Sequence, residues 1–246
     1  MDRMVYVAMT GAKQLMQAQA LVANNLANVS TKGFRADLAR FDAQPVVGPG
    51  YPSRVNTVAA GVGFDSTQGT LVQTGSVLDV AIDGPGWLAV QARDGSEAYT
   101  RGGSLKVNAL GQVTTERGEL VMGDNGPLSL PPYTQIALAP DGTIAIVPQG
   151  QGSETLAQVG RLKLVNPPAA QIEKRPDGLA HLKTGARAPA DADVRVVSGA
   201  IETSNVNIAS ALVDMIEYAR QFDLTVRMMQ TADTNATRAA SLASLN

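Results

Sequence analysis

The length of 246 residues, with 44% hydrophobic and 17% charged side chains, is enough for one large or two modest domains with a sizeable core. The formal net charge of −2 gives no electrostatic reason to expect nucleic acid or an anionic membrane as partner. The chain has no cysteine, which excludes disulfides and thiolate metal sites. No run of eighteen apolar residues occurs, so we predict no direct membrane insertion.

The first predicted element is a helix from about Arg3 to Asn28. No proline interrupts this segment, and its apolar residues recur at heptad-like helical spacing rather than in strand alternation. The helix should end before the turn at residues 30–33, where Gly33 can adopt a positive φ. One apolar set spaced by seven comprises Met1, Ala8, Leu15, Val22 and Val29.

The middle of the chain is predicted to be β-rich. Residues 31–66, rich in Pro, Gly and Val, are predicted to form an extended connector, and residues 67–204 a meander or small barrel-like sandwich. In this second stretch, short Val, Ile, Leu and Thr runs alternate with turn signals. Pairs such as Asp94-Gly95 and Asp141-Gly142 favour hairpin turns in which both central residues take positive φ.

The last predicted element is a longer helix, from about Asn207 to Leu242. No glycine or proline follows Gly199, and Ser204 or Asn205 can serve as the N-cap. At 1.5 Å per residue this helix would be roughly 54 Å long, and the first helix roughly 38 Å. Its apolar stripe comprises Ile208, Met215, Phe222, Met229 and Ala236, with Leu212, Ala219 and Val226 between them.

Together these elements predict an α+β fold in which long N- and C-terminal helices pack together, coiled-coil-like, and bracket a β-rich central domain. Residues 1–30 and 205–246 would form the helical assembly domain. Helices with such narrow stripes bury too little surface alone to be very stable, which favours oligomerisation. The alternative is ordinary packing of the two helices within a monomer.

We predict no catalytic residue, no metal site and no cofactor, and therefore no enzyme. His181 is the only histidine and has no nucleophile signature nearby, so we expect it on a surface strand or turn. The glycine-rich segment at 61–66 lacks the third glycine and the following helix of a dinucleotide-binding loop, which makes a connector turn the better interpretation. The competing class is an enzyme or binding domain built on the β-rich middle.

Four blocks of the sequence resemble those of the flagellar rod and hook protein family. Residues 23–34, ANNLANVSTKGF, are similar to its signature ANNLANxxTxGF. Residues 67–84 are similar to the second block, which ends in LDVAI-x-G, and YTRGG at 99–103 is similar to the next. The segment SGAIETSNV at 198–206 is similar to the block that leads into the C-terminal helix. The blocks occur in the family's order and span essentially the whole chain.

Within this family, the details are most similar to the proximal-rod member. The opening MDRMVY has its usual form, and Trp87 occupies a Gly-Trp-Leu segment where distal-rod and hook members usually carry two phenylalanines. Residues 160–165 and 232–239 also resemble that member. A distal-rod or hook subunit of the same axial family is the alternative.

The resemblance implies a structural subunit of the bacterial flagellar basal-body rod, a helical tube that crosses the periplasm and transmits torque from motor to hook. It implies other rod proteins, proximal and distal, and further copies of this chain as partners. It also implies export by the flagellar type III apparatus, in keeping with a start that lacks the pattern of a cleavable secretory signal.

A helical polymer needs heterologous, non-closing contacts, which we expect the terminal helices to supply. In this hypothesis Leu15 and Val22 pack with residues such as Met215 and Phe222, both within and between subunits. The predicted assembly interface comprises Leu15, Val22, Asn24, Asn25, Leu26, Asn28, Phe34, Leu212, Met215, Phe222, Val226 and Met229.

Overall fold

The computed structural model describes residues 3–45, 55–150 and 155–243. The chain divides into two compact units. Unit 1 comprises Met1–Asn28, Ala36–Asp65 and Val206–Asn246, and unit 2 comprises Val29–Arg35 and Ser66–Asn205. The backbone therefore passes between the units four times.

Unit 1 contains two helices and a β-hairpin. They are α1 (Arg3–Ala27), β1 (Asp37–Pro45), β2 (Val55–Phe64) and α2 (Ile208–Ala243). The two helices pack against each other, and the central region of the chain is β-rich, so the predicted α+β fold with paired terminal helices is confirmed.

Unit 2 is built from short antiparallel strands. They are β3 (Leu71–Gln73), β4 (Val80–Asp83), β5 (Trp87–Gln91), β6 (Glu97–Thr100), β7 (Leu105–Val107), β8 (Val113–Thr115), β9 (Leu120–Gly123), β10 (Gly126–Pro127), β11 (Tyr133–Leu138), β12 (Thr143–Pro148), β13 (Ala157–Arg161), β14 (Leu164–Val165), β15 (Ile172–Lys174), β16 (Ala180–Leu182), β17 (Arg195–Ser198) and β18 (Ala200–Glu202), with a 3₁₀ turn at Ala169–Gln171.

The largest sheet of unit 2 has the strand order β15-β16-β6-β5-β9-β8-β7, with β10 on β9 and β14 on β5. Strands β11-β12-β13 form a second sheet, and β17-β4 and β18-β3 form two-stranded ribbons. The side chains that face inward from the two larger sheets and the β17-β4 ribbon form one apolar core, which includes Val90, Val113, Val121, Ile146 and Leu162. This core lies wholly within unit 2, so unit 2 has its own source of hydrophobic stability.

The inward face of α2 follows a regular three-and-four spacing. Ala211 and Ala232 are buried, and Met215, Tyr218, Phe222, Thr225 and Met229 between them are half-buried, as are the adjacent Ala219 and Val226 of the predicted stripe. The predicted stripe is right at Met215, Phe222 and Met229. Leu212 instead lies on an exposed face, because the inward position between successive turns falls at Ala211. Ile208 and Ala236, at the ends of the predicted stripe, are also exposed, and Met1 lies outside the described residues.

The helix pair is closely packed because α1 presents small residues to α2. Ala8, Ala12 and Ala18 are buried, and a Cβ placed on Gly11 would lie 3.9 Å from Thr225 Cγ2. Small residues on one helix leave room for the larger side chains of the other. Among the described side chains of unit 1, the buried ones are five alanines and Asn25.

The start of α2 is capped by Asn207, whose Oδ1 accepts a hydrogen bond from the Ser210 N–H at 3.1 Å. The predicted caps at Ser204 and Asn205 are therefore wrong. Asn205 is engaged elsewhere, since its Nδ2 donates to the Thr67 carbonyl at 3.0 Å.

The predicted connector contains a β-hairpin rather than a single extended segment. Strands β1 and β2 pair antiparallel from Asp37 opposite Phe64 to Pro45 opposite Val55, with one irregularity at Arg40/Phe41. Both strands pack against α1. The glycine-rich segment that weakly resembled a phosphate loop includes the end of β2. A two-stranded hairpin is marginal alone, so its packing on the helix is the contact that stabilises it.

The Asp-Gly turns form, but with a different geometry from the one predicted. Gly84, Gly95, Gly142 and Gly178 take positive φ, and among the described residues no aspartate does so. Instead the aspartate side chain accepts from a backbone N–H two residues on, as Asp94 does from Ser96 at 2.9 Å. This is the pattern of a turn closed by an Asx hydrogen bond, with glycine in the left-handed position.

The close packing of the helices predicts opposite effects of two substitutions in α1. Gly11→Ala should raise the stability of the helix pair by about 1 kcal/mol, because alanine favours helix and its Cβ would make an ordinary contact with Thr225. Ala18→Gly should lower it by about 2 kcal/mol, because it loses both helix propensity and a buried methyl group. Thermal unfolding followed by far-UV circular dichroism measures both.

The exposed Ala20 provides the matched control. Ala20→Gly changes helix propensity alone, so it should cost about 1 kcal/mol, less than Ala18→Gly. Equal losses at Ala18 and Ala20 would contradict the burial of Ala18 within unit 1.

Candidate assembly interface

The face of α1 directed away from α2 carries large apolar side chains. Tyr6, Met9 and Met16 are between 54% and 58% exposed. They belong to a second three-and-four series on this helix, which continues through smaller side chains. Its members are Tyr6, Met9, Lys13, Met16, Ala20, Ala23 and Ala27, all of them exposed.

The outer face of α2 has the same character. Leu212, Val213, Ile216 and Leu224 are between 45% and 61% exposed, and Met228 is similarly exposed. Unit 1 thus buries small residues between its helices and leaves larger ones facing outward. Exposed apolar side chains in this number make both faces candidates for contact with another protein, although Glu217, Arg220 and Arg227 are exposed beside those of α2. We call these two faces the outward faces of α1 and α2.

The last turns of α2 differ from its first half. From Asp233 to Leu242 every residue is exposed, and large apolar side chains are absent from this stretch before Leu242. The hydroxyl groups here are bonded within the helix. Thr231, Thr234, Thr237 and Ser241 each donate to a backbone carbonyl three or four residues earlier, at 2.8–3.0 Å.

Eight of the predicted interface residues are half-buried in the helical unit. They are Leu15, Val22, Leu26, Asn28, Met215, Phe222, Val226 and Met229. Leu212 and Asn24 are exposed. The predicted interface therefore coincides chiefly with side chains that are partly buried within one chain. The predicted set does not include the exposed Tyr6, Met9, Val213 and Ile216, although the spacing of three within each pair places it on one face of its helix.

The asparagines after the middle of α1 have internal partners. Asn25 is buried and bonds the backbone of Asp37 twice, donating from Nδ2 to its carbonyl at 2.9 Å and accepting its N–H at 2.8 Å. This pair of bonds fixes the start of β1 on the helix. Asn28 donates from Nδ2 to the Asn24 carbonyl at 2.9 Å, and its backbone N–H donates to the same carbonyl at 3.1 Å, so both bonds close the end of α1.

Phe34, the remaining predicted interface residue, lies in unit 2 and is half-buried. The Lys174 ammonium lies 3.7 Å from its ring centroid, a cation–π contact. Lys174 Nζ also donates to the Arg35 carbonyl at 3.0 Å. These contacts fix the segment that follows α1 on the β-rich unit. Within it Gly33 has a φ of 67°, the positive value that the sequence predicts.

A buried carboxylate in unit 2 holds two guanidinium groups. The oxygens of Glu202 lie 2.8 Å from Arg35 Nη2 and 2.9 Å from Arg101 Nη1, and the Gly69 N–H donates to the same carboxylate at 2.9 Å. All three charged side chains are buried. An unpaired charge is very costly in such a place, so the three groups are stable there only together.

Backbone carbonyls offset the excess positive charge of this triad. Arg101 donates to the carbonyls of Ile82 at 3.3 Å and Gly84 at 2.5 Å, and Arg35 donates to that of Thr67. Burial lowers the pKa of the Arg101 guanidinium, and the adjacent Glu202 raises it in opposition. Arginine cannot be deprotonated in proteins, so the ion pair persists.

Hydrogen bonds around the triad join residues at or next to three of the four unit 2 ends that continue into unit 1, namely those at Arg35, Ser66 and Asn205. The Asn205 N–H donates to the Phe34 carbonyl at 3.3 Å, and the Gly33 N–H donates to the Glu202 carbonyl at 2.8 Å. We call this set the root cluster. Its members are Phe34, Arg35, Thr67, Arg101, Glu202 and Asn205. No pattern in the sequence reveals this cluster, because partners so far apart along the chain are brought together only by the fold.

The described residues offer little that could support catalysis. They contain no group of three His, Cys, Asp or Glu side chains that could hold a metal ion. His181 is not at the surface as predicted but buried in β16, with Nε2 2.9 Å from Asp177 Oδ2. No described helix is both long enough and apolar enough to cross a bilayer.

Three family models match the chain in sequence order. "Flagella basal body rod protein" matches residues 5–35, which include α1 and the following segment. "Flagellar hook protein FlgE/F/G D1 domain" matches residues 81–146 of unit 2. "Flagellar basal body rod FlgEFG protein C-terminal" matches residues 197–242, which include Glu202 and nearly all of α2.

Curated relatives match over the full length. The flagellar basal-body rod protein FlgF of Escherichia coli K12 is 42% identical and that of Salmonella typhimurium LT2 is 41% identical, each over 100% of both chains. The flagellar basal-body rod protein FlgG of Buchnera aphidicola subsp. Acyrthosiphon pisum is 31% identical over 93% of this chain and 95% of its own. The chain therefore belongs to the flagellar basal-body rod protein family, as a structural subunit of the bacterial flagellar basal-body rod.

Proposed function

We propose that this rod subunit assembles through the outward faces of α1 and α2, which pack against helices of neighbouring subunits. The observation that carries the proposal is the exposure of Met9, Met16, Val213 and Ile216 on the sides opposite the inward seam. Burying an apolar side chain of this size contributes roughly 1.5–3 kcal/mol. Several such contacts per subunit would contribute free energy of association that is available only when these side chains are buried against another subunit.

The neighbours are other rod proteins and further copies of this chain. Methionine occurs on both outward faces, at Met9, Met16 and Met228. Because methionine adapts its shape, such faces can accept helices of slightly different sequence, as a rod with several components requires.

The position we propose is the proximal part of the rod. Support comes from the identity of 42% to the FlgF protein, against 31% to the FlgG protein, and from the Gly-Trp-Leu segment at Trp87. A distal-rod or hook position of the same axial family is the alternative, and it uses the same helical contacts.

Export by the flagellar type III apparatus, in an unfolded state, is part of the proposal. The alanine-rich core of unit 1 supports it, because few large buried side chains resist its unfolding. We further propose that the chain has no catalytic activity, in keeping with the absence of a catalytic family among the matched models.

A charge on the outward face of α2 should block assembly without unfolding the subunit. Ile216→Glu keeps a good helix former at an exposed position, so the free energy of unfolding of the monomer should change by no more than about 0.5 kcal/mol. In a strain that lacks the native gene, this variant should be produced but fail to restore rods and swimming. Basal bodies isolated from that strain and motility on soft agar provide the measurements.

Leu110→Glu is the matched control, because Leu110 is 79% exposed on unit 2 and lies on neither helix. It should restore rods and swimming in full. The proposal would be wrong if Ile216→Glu assembled as well as Leu110→Glu did.

Limited proteolysis of the purified monomer should remove unit 1 before unit 2. The hairpin of residues 37–64 belongs to unit 1, so the resistant product should lie near residues 66–205. The physical reason is the difference in buried side chains, alanines in unit 1 against valine, leucine and isoleucine in unit 2. Mass spectrometry of the fragments identifies the product. Helical ends that resist cleavage as long as the β sheets do would refute the weak-core argument.

A further inference from the structure

The chain connects its two units four times, and hydrogen bonds and ion pairs link the unit 2 ends of these connections, or residues near them. In the sequence, each of the two unit 2 segments, Val29–Arg35 and Ser66–Asn205, is preceded and followed by a segment of unit 1. Hydrogen bonds and ion pairs of the root cluster join residues within a few positions of three of these ends, namely Arg35, Thr67 and Asn205. Gly33, in the short segment that contains the fourth, bonds the Glu202 carbonyl.

We propose that Glu202 is a positioning residue, whose carboxylate locks these chain passages into one rigid root on the β-rich unit. In a rod subunit under torque, the four chain connections between the units carry force. If each connection were anchored to unit 2 separately, the connections could detach one after another under load. Connections that are joined through one buried group share the force. This role goes beyond the assembly contacts of the outward faces and does not depend on them.

Glu202 is suited to this role because it reaches several segments from one position. Its side chain binds Arg35, Arg101 and the Gly69 N–H, while its backbone carbonyl accepts from Gly33. Few residues contact three separate segments through charge-assisted bonds, which are stronger and more directional than neutral ones. Burial also protects these ion pairs from the salt screening that weakens surface pairs.

The segments approach so closely that the root has little freedom to adjust. A Cβ on Gly69 would lie 2.1 Å from the Thr203 carbonyl oxygen, and one on Gly33 would lie 2.2 Å from the Arg101 carbonyl carbon. Because these distances are too short for a real Cβ, the backbones of the neighbouring segments are in direct contact at both glycines, which leaves no space for an alternative packing. The carboxylate therefore holds one arrangement of these segments rather than several.

Amide hydrogen exchange on the full chain tests the proposal in Glu202→Ala. The Gly69 N–H loses its acceptor in this variant and must exchange faster on any account of the site. The informative amides are those of Gly33 and Asn205, whose acceptors are backbone carbonyls that the substitution leaves in place. We expect their exchange to accelerate about tenfold or more, while the amides of β11 and β12 keep their protection.

Two further variants complete the experiment. Glu116→Ala removes an exposed ion pair to Lys32, in the same segment as Gly33, and should leave the exchange of Gly33 and Asn205 unchanged. Glu202→Gln keeps an acceptor for Gly69 but lacks the charge that both guanidiniums need. It should preserve protection at Gly69 and still accelerate Gly33 and Asn205.

Exchange at Gly33 and Asn205 that matches the native protein in both Glu202 variants would overturn the proposal and leave the triad as a local ion pair. If Glu202→Ala fails to fold, as loss of protection in β11 and β12 would show, Glu202→Gln alone decides. Native exchange at Gly33 and Asn205 in that variant then overturns the proposal, and acceleration supports it.

Discussion

The burial of one carboxylate between two guanidiniums is the constraint on which the organisation of this chain depends. Glu202 joins Arg35, which follows the first helix, to Arg101 in the β-rich body, and it lies shortly before the second helix. Buried charges of this kind are costly unless all of them are in place. The body of unit 2 is therefore complete only when both helix-flanking segments have reached it, although they lie at opposite ends of the sequence.

The two units are stabilised by different kinds of buried side chain. Unit 2 has a continuous apolar core of valine, leucine and isoleucine, typical of a domain that is stable alone. Unit 1 buries alanines between its helices and leaves tyrosine, methionine, isoleucine and leucine outside. That distribution is the reverse of what a monomeric helical hairpin needs. It suits a subunit whose helices complete their packing only among neighbours, as a rod of many subunits provides.

The sequence was a good guide wherever a pattern is local. Both helices begin and end within about one residue of the predicted bounds, and the Asp-Gly turns occur where expected, because apolar spacing and glycine act over a few residues. The hairpin at residues 37–64 was missed because the Pro, Gly and Val content of this region does not distinguish a paired strand from an extended one. The triad was missed for a different reason, since nothing local in the sequence joins Arg35 to Glu202.

The helical stripe shows where such patterns stop being sufficient. Seven-residue spacing identified Met215, Phe222 and Met229, yet it could not tell Ala211 from Leu212 as the inward neighbour. Hydrophobicity favours the leucine, whereas the packing places the alanine inside. A stripe that pairs two helices and a stripe that faces other subunits carry the same residue types, so only the three-dimensional structure separates them.

The hydroxyl groups along the end of α2 have a consequence for how that end meets other molecules. Thr231, Thr234, Thr237 and Ser241 already satisfy their donors on the helix backbone, so methyl groups and alanines make up much of what they present outward. The hydroxyl groups therefore lose few hydrogen bonds to water when this end of the helix is covered, whereas the exposed Asp233, Asn235 and Arg238 still need polar partners. Contacts made by these threonine methyl groups and alanines are largely non-directional. A neighbouring helix that packs on them can therefore take slightly different axial positions along α2 with little difference in free energy.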